Sequence, residues 1–267
     1  MRLVTLLDAV KATNLVTLRL ALRNVDLAAS YMSRCLQLYD EMTGYGLESR
    51  SPVDYIVARG WGELVRDEHI LLPTQLNDTG GTRPEELLCL ANVTKVLRPR
   101  KIFEIGTFSG RTTSVLIMNA PRDAVVITLD LPPETQVPSD PSYIDTDIDL
   151  VRTRPLARYI HELGLESRCQ QILSDSMEFD PMPHEGTVEF GFIDGAHSHE
   201  YVKNDTEKML RMITDRSLVM WHDYGGKGRF RPLSEYLHSL AKRVPIYRVP
   251  HTSLAWAAGH DLRRLTI

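Results

Sequence analysis

Lys101-Ile102-Phe103-Glu104-Ile105-Gly106-Thr107-Phe108-Ser109-Gly110-Arg111 decides the fold. The stretch from Lys101 to Ile105 is a short apolar run that reads as a strand. Gly106 and Gly110 permit a tight turn and a close approach of the backbone to a ligand. From Thr112 to Asn119 the pattern is helical. A strand that turns through glycines directly into a helix offers the helix's unpaired N–H groups to a polar or anionic group. The spacing here is G-x-x-x-G. A nicotinamide-type loop would read G-x-G-x-x-G, and a P-loop would close on Gly-Lys-Ser/Thr; this stretch has neither.

Outward from that turn, strands alternate with helices. Upstream, 84–97 reads as a helix, with Thr82 as its cap and Glu85 completing a capping box. Downstream, strands are expected at 124–129 (ending on Asp130), 169–173, 188–193 and 217–221, with a closing pair at 245–249 and 253–257. Helices are expected at 151–163, 200–213 and 233–242. This order implies βαβ units with right-handed crossovers: a doubly wound α/β fold whose mostly parallel sheet binds ligands at the carboxyl ends of its strands. Residues 131–150, with Pro132, Pro133, Asp140, Asp145, Asp147 and Asp149, read as a long loop, a lid or a solvated segment. Gly225-Gly226-Lys227-Gly228 reads as a mobile loop.

Before residue 81 the pattern differs. Leucines and valines recur at helical spacing from 3 to 39, which suggests two helices, and a further helix is expected over 52–65. Pro73, Asn77, Asp78, Gly80 and Gly81 then mark a linker. The expected division is a helical extension over 1–80, serving as a lid or a dimerisation face, and a sheet domain over 81–267.

Of the 267 residues, 43% are hydrophobic, enough for a sizeable core. The net charge of −4 supplies no electrostatic footprint for nucleic acid or an anionic membrane. No apolar run approaches the roughly 18 residues of a membrane-spanning helix. Asp8 and Lys11 interrupt the apolar start, which reads as an amphipathic helix rather than a leader. Cys35, Cys89 and Cys169 lack metal or redox spacing and fit a reducing cytoplasm.

Polar residues gather at each expected strand end. Asp130 is placed to accept hydrogen bonds from ribose hydroxyls, the physics of the acidic residue in dinucleotide sites. Ser174-Asp175-Ser176 closes the third strand, where Asp175 also suits a helix cap. The fourth strand ends in Asp194-Gly195-Ala196-His197-Ser198-His199-Glu200, and the fifth in Trp221-His222-Asp223-Tyr224. These two loops should be neighbours. Asp194, His222 and Asp223 then form a mixed oxygen and nitrogen set suited to a divalent cation, Mg²⁺ for the carboxylates or a softer ion for the histidine. His197 titrates near neutral pH and suits proton removal from a hydroxyl.

As a set, these strand ends resemble class I S-adenosylmethionine (SAM)-dependent methyltransferases. The pattern is most similar to the metal-dependent small-molecule O-methyltransferases, including the catechol and natural-product sugar enzymes. The resemblance implies a seven-stranded Rossmann-like sheet with an antiparallel final strand. It implies SAM as cofactor, held by Glu104, Gly106, Thr107, Phe108, Ser109, Gly110, Thr112, Asp130, Ser174, Asp175, Ser176 and Asp194. His197 and Asp194 become the expected catalytic pair. Asp194, His222 and Asp223 become the expected ligands of Mg²⁺ or another divalent cation, although His222 stands where an oxygen ligand is usual. The expected activity is methyl transfer to a small-molecule hydroxyl in secondary metabolism. The expected partners are that acceptor and a second copy of the chain, without nucleic acid or membrane. A metal-independent N- or O-methyltransferase and a catalytically silent binding scaffold remain alternatives.

Overall fold

The structure is a computed structural model in which residues 46–64, 69–74, 81–135, 155–225 and 230–265 are described. The helices expected over 3–39, most of the loop expected over 131–150 and residues 226–229 lie outside that set. The chain divides into two compact units after Leu47, and every element named below belongs to the second, Glu48–Ile267. Among the described residues no helix is long and apolar enough to cross a membrane.

The elements run β1 (Glu48–Ser49), α1 (Pro52–Ala58), α2 (Pro84–Leu97), β2 (Lys101–Ile105), α3 (Arg111–Asn119), β3 (Val125–Asp130), α4 (Arg158–Glu162), β4 (Cys169–Leu173), β5 (Val188–Ile193), α5 (His199–Met212), β6 (Ile213–Trp221), α6 (Arg231–Ala241), β7 (Tyr247–Arg248), β8 (Ala255–Ala258) and α7 (Gly259–Leu262). They form one eight-stranded sheet in the order β1-β7-β8-β6-β5-β2-β3-β4. The strands from β4 to β6 pair in parallel, and β8 enters antiparallel between β6 and β7. The strand order reverses beside β2, so the carboxyl ends of β2 and β5 flank the crevice where such sheets bind ligands.

Helices cover both faces. α1, α2, α3 and α4 pack in succession, and α5 packs on α6. Parallel strands covered on both sides carry near-continuous apolar runs, because neither face meets water. Ile102, Val126, Phe190, Phe192, Leu218 and Met220 are fully buried with Leu90 and Val93 of α2 and Leu116 and Ile117 of α3. Each such side chain contributes roughly 1.5–3 kcal/mol by leaving water. α5 lies so close on β5 that a methyl at Gly191 would stand 2.5 Å from the sulfur of Met209.

Three local expectations are corrected. The sheet has eight strands, not seven: Glu48–Ser49 pairs in parallel with β7. Residues 48–64, read as part of the helical extension, fold with the sheet unit: Tyr55 and Ile56 are buried in the same core as Leu97 and Trp256. The helix starting at Pro84 is capped one residue later than expected. Arg83 donates its backbone N–H to Glu86 Oε2 at 2.9 Å, while the Thr82 hydroxyl pairs with that of Thr112 at 2.8 Å.

Candidate active site

The turn after β2 is shaped by its neighbours. Gly106 has φ +100°, and a β-carbon there would fall on the main-chain carbonyl of Asp194. The same seam is tied by Asp194 N–H to Ile105 C=O and by Gly106 N–H to Leu129 C=O, both 2.8 Å. Gly110 opens α3 at φ +76°, packed against Ile160 and Ala157 of the α4 turn. Phe108 takes the left-handed region at φ +47°, and its N–H donates to Asp130 Oδ2 at 2.7 Å. Asp130 Oδ1 accepts from Leu131 N–H at 2.7 Å. Asp130 thus braces the turn while still facing the ligand space.

These strand ends surround a cavity of 310 Å³, within the size range of small-molecule sites. Gly106, Thr107, Phe108, Ser109, Thr112, Asp130, Ser174, Asp175, Ser176, Asp194, His197, His222 and Asp223 all line it. Two expected cofactor residues do not. Gly110 lies behind the turn. Glu104 is fully buried beneath it, its Oε2 accepting from the hydroxyls of Thr113 and Thr128 at 2.5 and 2.7 Å. Burial pushes the Glu104 carboxyl up to about 8. It supports the turn from below and does not line the cavity.

At one end of the cavity, α5 clamps the segment after β4. Tyr201 donates its hydroxyl to Asp175 Oδ2 at 2.9 Å. Asn204 donates to Ser176 C=O at 3.0 Å, and Lys208 Nζ donates to the carbonyls of Ser176 and Met177 at 2.6 Å each. Asp175 Oδ1 also accepts from Met177 N–H and so holds a turn, since no helix directly follows β4 for it to cap as the sequence suggested.

At the other end, the loops after β5 and β6 meet. His197 Nε2 lies 2.9 Å from Asp223 Oδ2, and Phe230 stands edge-on to the His197 ring with centroids 4.8 Å apart. Asp223 holds φ +64°, a left-handed backbone uncommon for a non-glycine residue. His222 Nδ1 is 3.0 Å from Asp194 Oδ1 and 3.3 Å from Asp223 Oδ2. Its Nε2 is 3.0 Å from Glu86 Oε2.

Charge follows this geometry. Burial disfavours a charged His222, but Asp194 and Asp223 outweigh it and hold the imidazole's pKa well above the usual value. Burial raises the Asp194 carboxyl. For Asp223, burial acts upward, yet the His222 and His197 rings beside it hold the carboxyl far below the usual range. Burial likewise opposes ionisation of Glu86, and its bonds to His222 and Arg83 prevail.

The donor set fits a divalent cation. Asp194, His197 and Asp223 can each offer one ligand atom, all within 4.8 Å of one another. Among the described residues the buried His222 Nδ1 has no hydrogen-bond partner, although two carboxylate oxygens stand beside it. Of the expected ligands, Asp194 and Asp223 meet with His197 in this group, while His222 Nδ1 stands beside both carboxylates. His199, by contrast, faces the Tyr236 ring at the start of α5 and does not line the cavity.

Residues missed in the sequence complete the site. Glu86, Arg83, Tyr201, Phe230 and Ser253 line the cavity as well. Glu86 follows another glutamate in the first turn of a helix, where acids are common for their effect on the helix dipole. Nothing local marks it as functional.

The family model described as "Methyltransferase domain" matches residues 103–224, from β2 through the loop after β6. No curated protein sequence matches the chain. Solved structures similar to it include a methyltransferase of Podospora anserina bound to S-adenosylhomocysteine (15% identity, 62% of this chain and 74% of that one, TM-score 0.45). The O-methyltransferase TomG of Streptomyces achromogenes, solved with SAM, is 16% identical over 68% of this chain and 82% of its own, with TM-score 0.47. A SAM-dependent O-methyltransferase of Thermotoga maritima is 16% identical over 68% of this chain and 67% of its own, with TM-score 0.46. The substrates and ligands in those names belong to those proteins. The methyltransferase-domain match over residues 103–224 thus spans β2 to β6, the part of the sheet whose strand ends line the cavity.

Proposed function

We propose that the protein transfers the methyl group of SAM to a hydroxyl of a small molecule. The observation that carries this reading is the His197–Asp223 pair, 2.9 Å apart, in the wall of the same cavity that the β2 turn and Asp130 line. A histidine oriented by a carboxylate suits general-base work near neutral pH. His197 takes the proton of the acceptor hydroxyl as the oxygen forms its bond to the methyl carbon. The carbon–sulfur bond breaks, and S-adenosylhomocysteine leaves with the electron pair on sulfur. Asp223 orients the His197 ring and stabilises its charged form. Phe230 gives the acceptor an apolar wall. Holding the two reactants in line supplies much of the acceleration.

Asp194, Asp223 and His222 would hold a divalent cation, whose chemistry there would be to bind the acceptor oxygen and lower its pKa. There the His222 Nδ1 would have to give up its proton to serve as a ligand. Activity that survives chelation would favour the metal-independent reading on the same scaffold.

The first test is calorimetric titration with S-adenosylhomocysteine. Wild-type protein should bind it at micromolar affinity. Asp130→Ala should weaken binding by about 10- to 100-fold, the loss of charge-assisted bonds worth roughly 1.5–3 kcal/mol. No binding by a folded wild type refutes the methyltransferase reading and leaves a silent scaffold.

A further inference from the structure

Glu86 reaches the site from α2, outside the strand-end loops that carry the chemistry. It is fully buried and held on every side. Oε1 accepts from Arg83 Nε at 3.1 Å and from the N–H and hydroxyl of Ser253 at 2.8 and 2.7 Å. Oε2 accepts from Arg83 N–H at 2.9 Å and faces His222 Nε2 at 3.0 Å. A carboxylate with this many donors is ionised, and an ionised carboxylate is acceptor-only. His222 Nε2 must therefore carry the hydrogen of that bond.

A cation that displaced the Nδ1 proton would leave the hydrogen on Nε2 with Glu86 and free the lone pair on Nδ1. That atom is buried and among the described residues has no hydrogen-bond partner. Yet it lies 3.0 and 3.3 Å from Asp194 Oδ1 and Asp223 Oδ2. Donor atoms about 2.1 Å from a common ion and at right angles to one another stand about 3 Å apart. A histidine whose outer nitrogen donates to a carboxylate while the inner one faces acidic oxygens is the arrangement in which an outer partner fixes a metal-ligating imidazole.

We propose that Glu86 is a positioning residue. By holding Nε2–H of His222 it aims the Nδ1 lone pair between Asp194 and Asp223, completing a cation site that takes a nitrogen-accepting ion such as Mn²⁺, Co²⁺ or Zn²⁺ in preference to Mg²⁺. The selection follows from ligand type: imidazole nitrogen suits Zn²⁺ and its neighbours, with affinity rising along the first row from Mn²⁺, whereas all-oxygen sets suit Mg²⁺. The inference rests on the reading of these loops as a cation site and is independent of the acceptor's identity.

The test uses the whole chain and Mn²⁺ as probe, with affinity read by the loss of free Mn²⁺ signal in electron paramagnetic resonance and ligation read by ¹⁴N modulation in the pulsed experiment. Wild type should bind Mn²⁺ with nitrogen coupling and prefer it to Mg²⁺. Glu86→Gln, which places amide hydrogens against Nε2, should lose about 10- to 100-fold in Mn²⁺ affinity while S-adenosylhomocysteine affinity stays within about threefold. His222→Asn should lower the nitrogen coupling and move preference toward Mg²⁺. A merely structural Glu86 would lower both affinities together, and that result overturns the proposal. So does wild-type protein that binds S-adenosylhomocysteine but shows no Mn²⁺ binding, or Mn²⁺ binding without nitrogen coupling. Should Glu86→Gln not fold, the wild-type and His222→Asn spectra decide. Loss of S-adenosylhomocysteine binding by the wild type refutes the proposed function separately.

Discussion

Glu104 makes the folding stability of this protein depend on pH in an unusual direction. Its carboxyl is fully buried and pushed up to about 8, chiefly by burial and against the bonds from Thr113 and Thr128. In the unfolded chain it returns to the ordinary carboxyl value of 4.5. Between those values the folded state keeps the proton and the unfolded state releases it. Stability from this group is therefore complete below about pH 4.5, falls as pH rises, and is gone above about pH 8. The slope is at most about 1.4 kcal/mol per pH unit, and the whole interval sets a ceiling of about 5 kcal/mol. Glu104→Gln keeps the shape and removes the titration. Denaturant unfolding of both proteins without cofactor, at pH steps from 5 to 8, gives the difference directly, and contributions common to both cancel. The variant should gain on the wild type steadily with pH, by about 2 kcal/mol or more across the range. Stability curves that stay parallel would refute the assignment of a neutral, buried Glu104.

Two further outcomes follow from the site. His197→Ala should lower kcat by about 10²- to 10⁴-fold with little change in S-adenosylhomocysteine affinity, measured by steady-state kinetics and calorimetry; a near wild-type kcat removes His197 as base. Gly106→Ala should destabilise the domain by about 3 kcal/mol or more, from left-handed strain and overpacking together, read as a lowered Tm and lost cofactor binding; a stable, binding-competent variant would refute the tight seam.

The strand ends were legible because a parallel sheet covered by helices enforces alternation. Apolar runs such as Val188–Ile193 are too short for helices, and each closes on a polar residue that only a ligand crevice accommodates. Asp130, Asp194, His197, His222 and Asp223 were found that way, and all line one cavity. β1 was missed because two residues carry no period. Residues 48–64 were assigned to the wrong side of the boundary because the glycines and proline of 72–83 mark a turn, and turn chemistry does not tell whether the chain then leaves the core. Glu104 was read as a ligand residue because position in the motif does not reveal that its side chain turns inward to Thr113. Glu86 was invisible because its role arises where α2 passes Ser253 and His222, contacts between residues 167 and 136 positions apart in sequence.

The seam at Gly106 also limits how this protein can change. What a side chain at 106 meets is the carbonyl of residue 194, which every amino acid carries. No substitution at 194 makes room, and the bond from Asp194 N–H to Ile105 C=O resists any shift of β5 against β2. A larger residue at 106 therefore has no single-site suppressor, and a selection for revertants of Gly106→Ala should return the glycine itself.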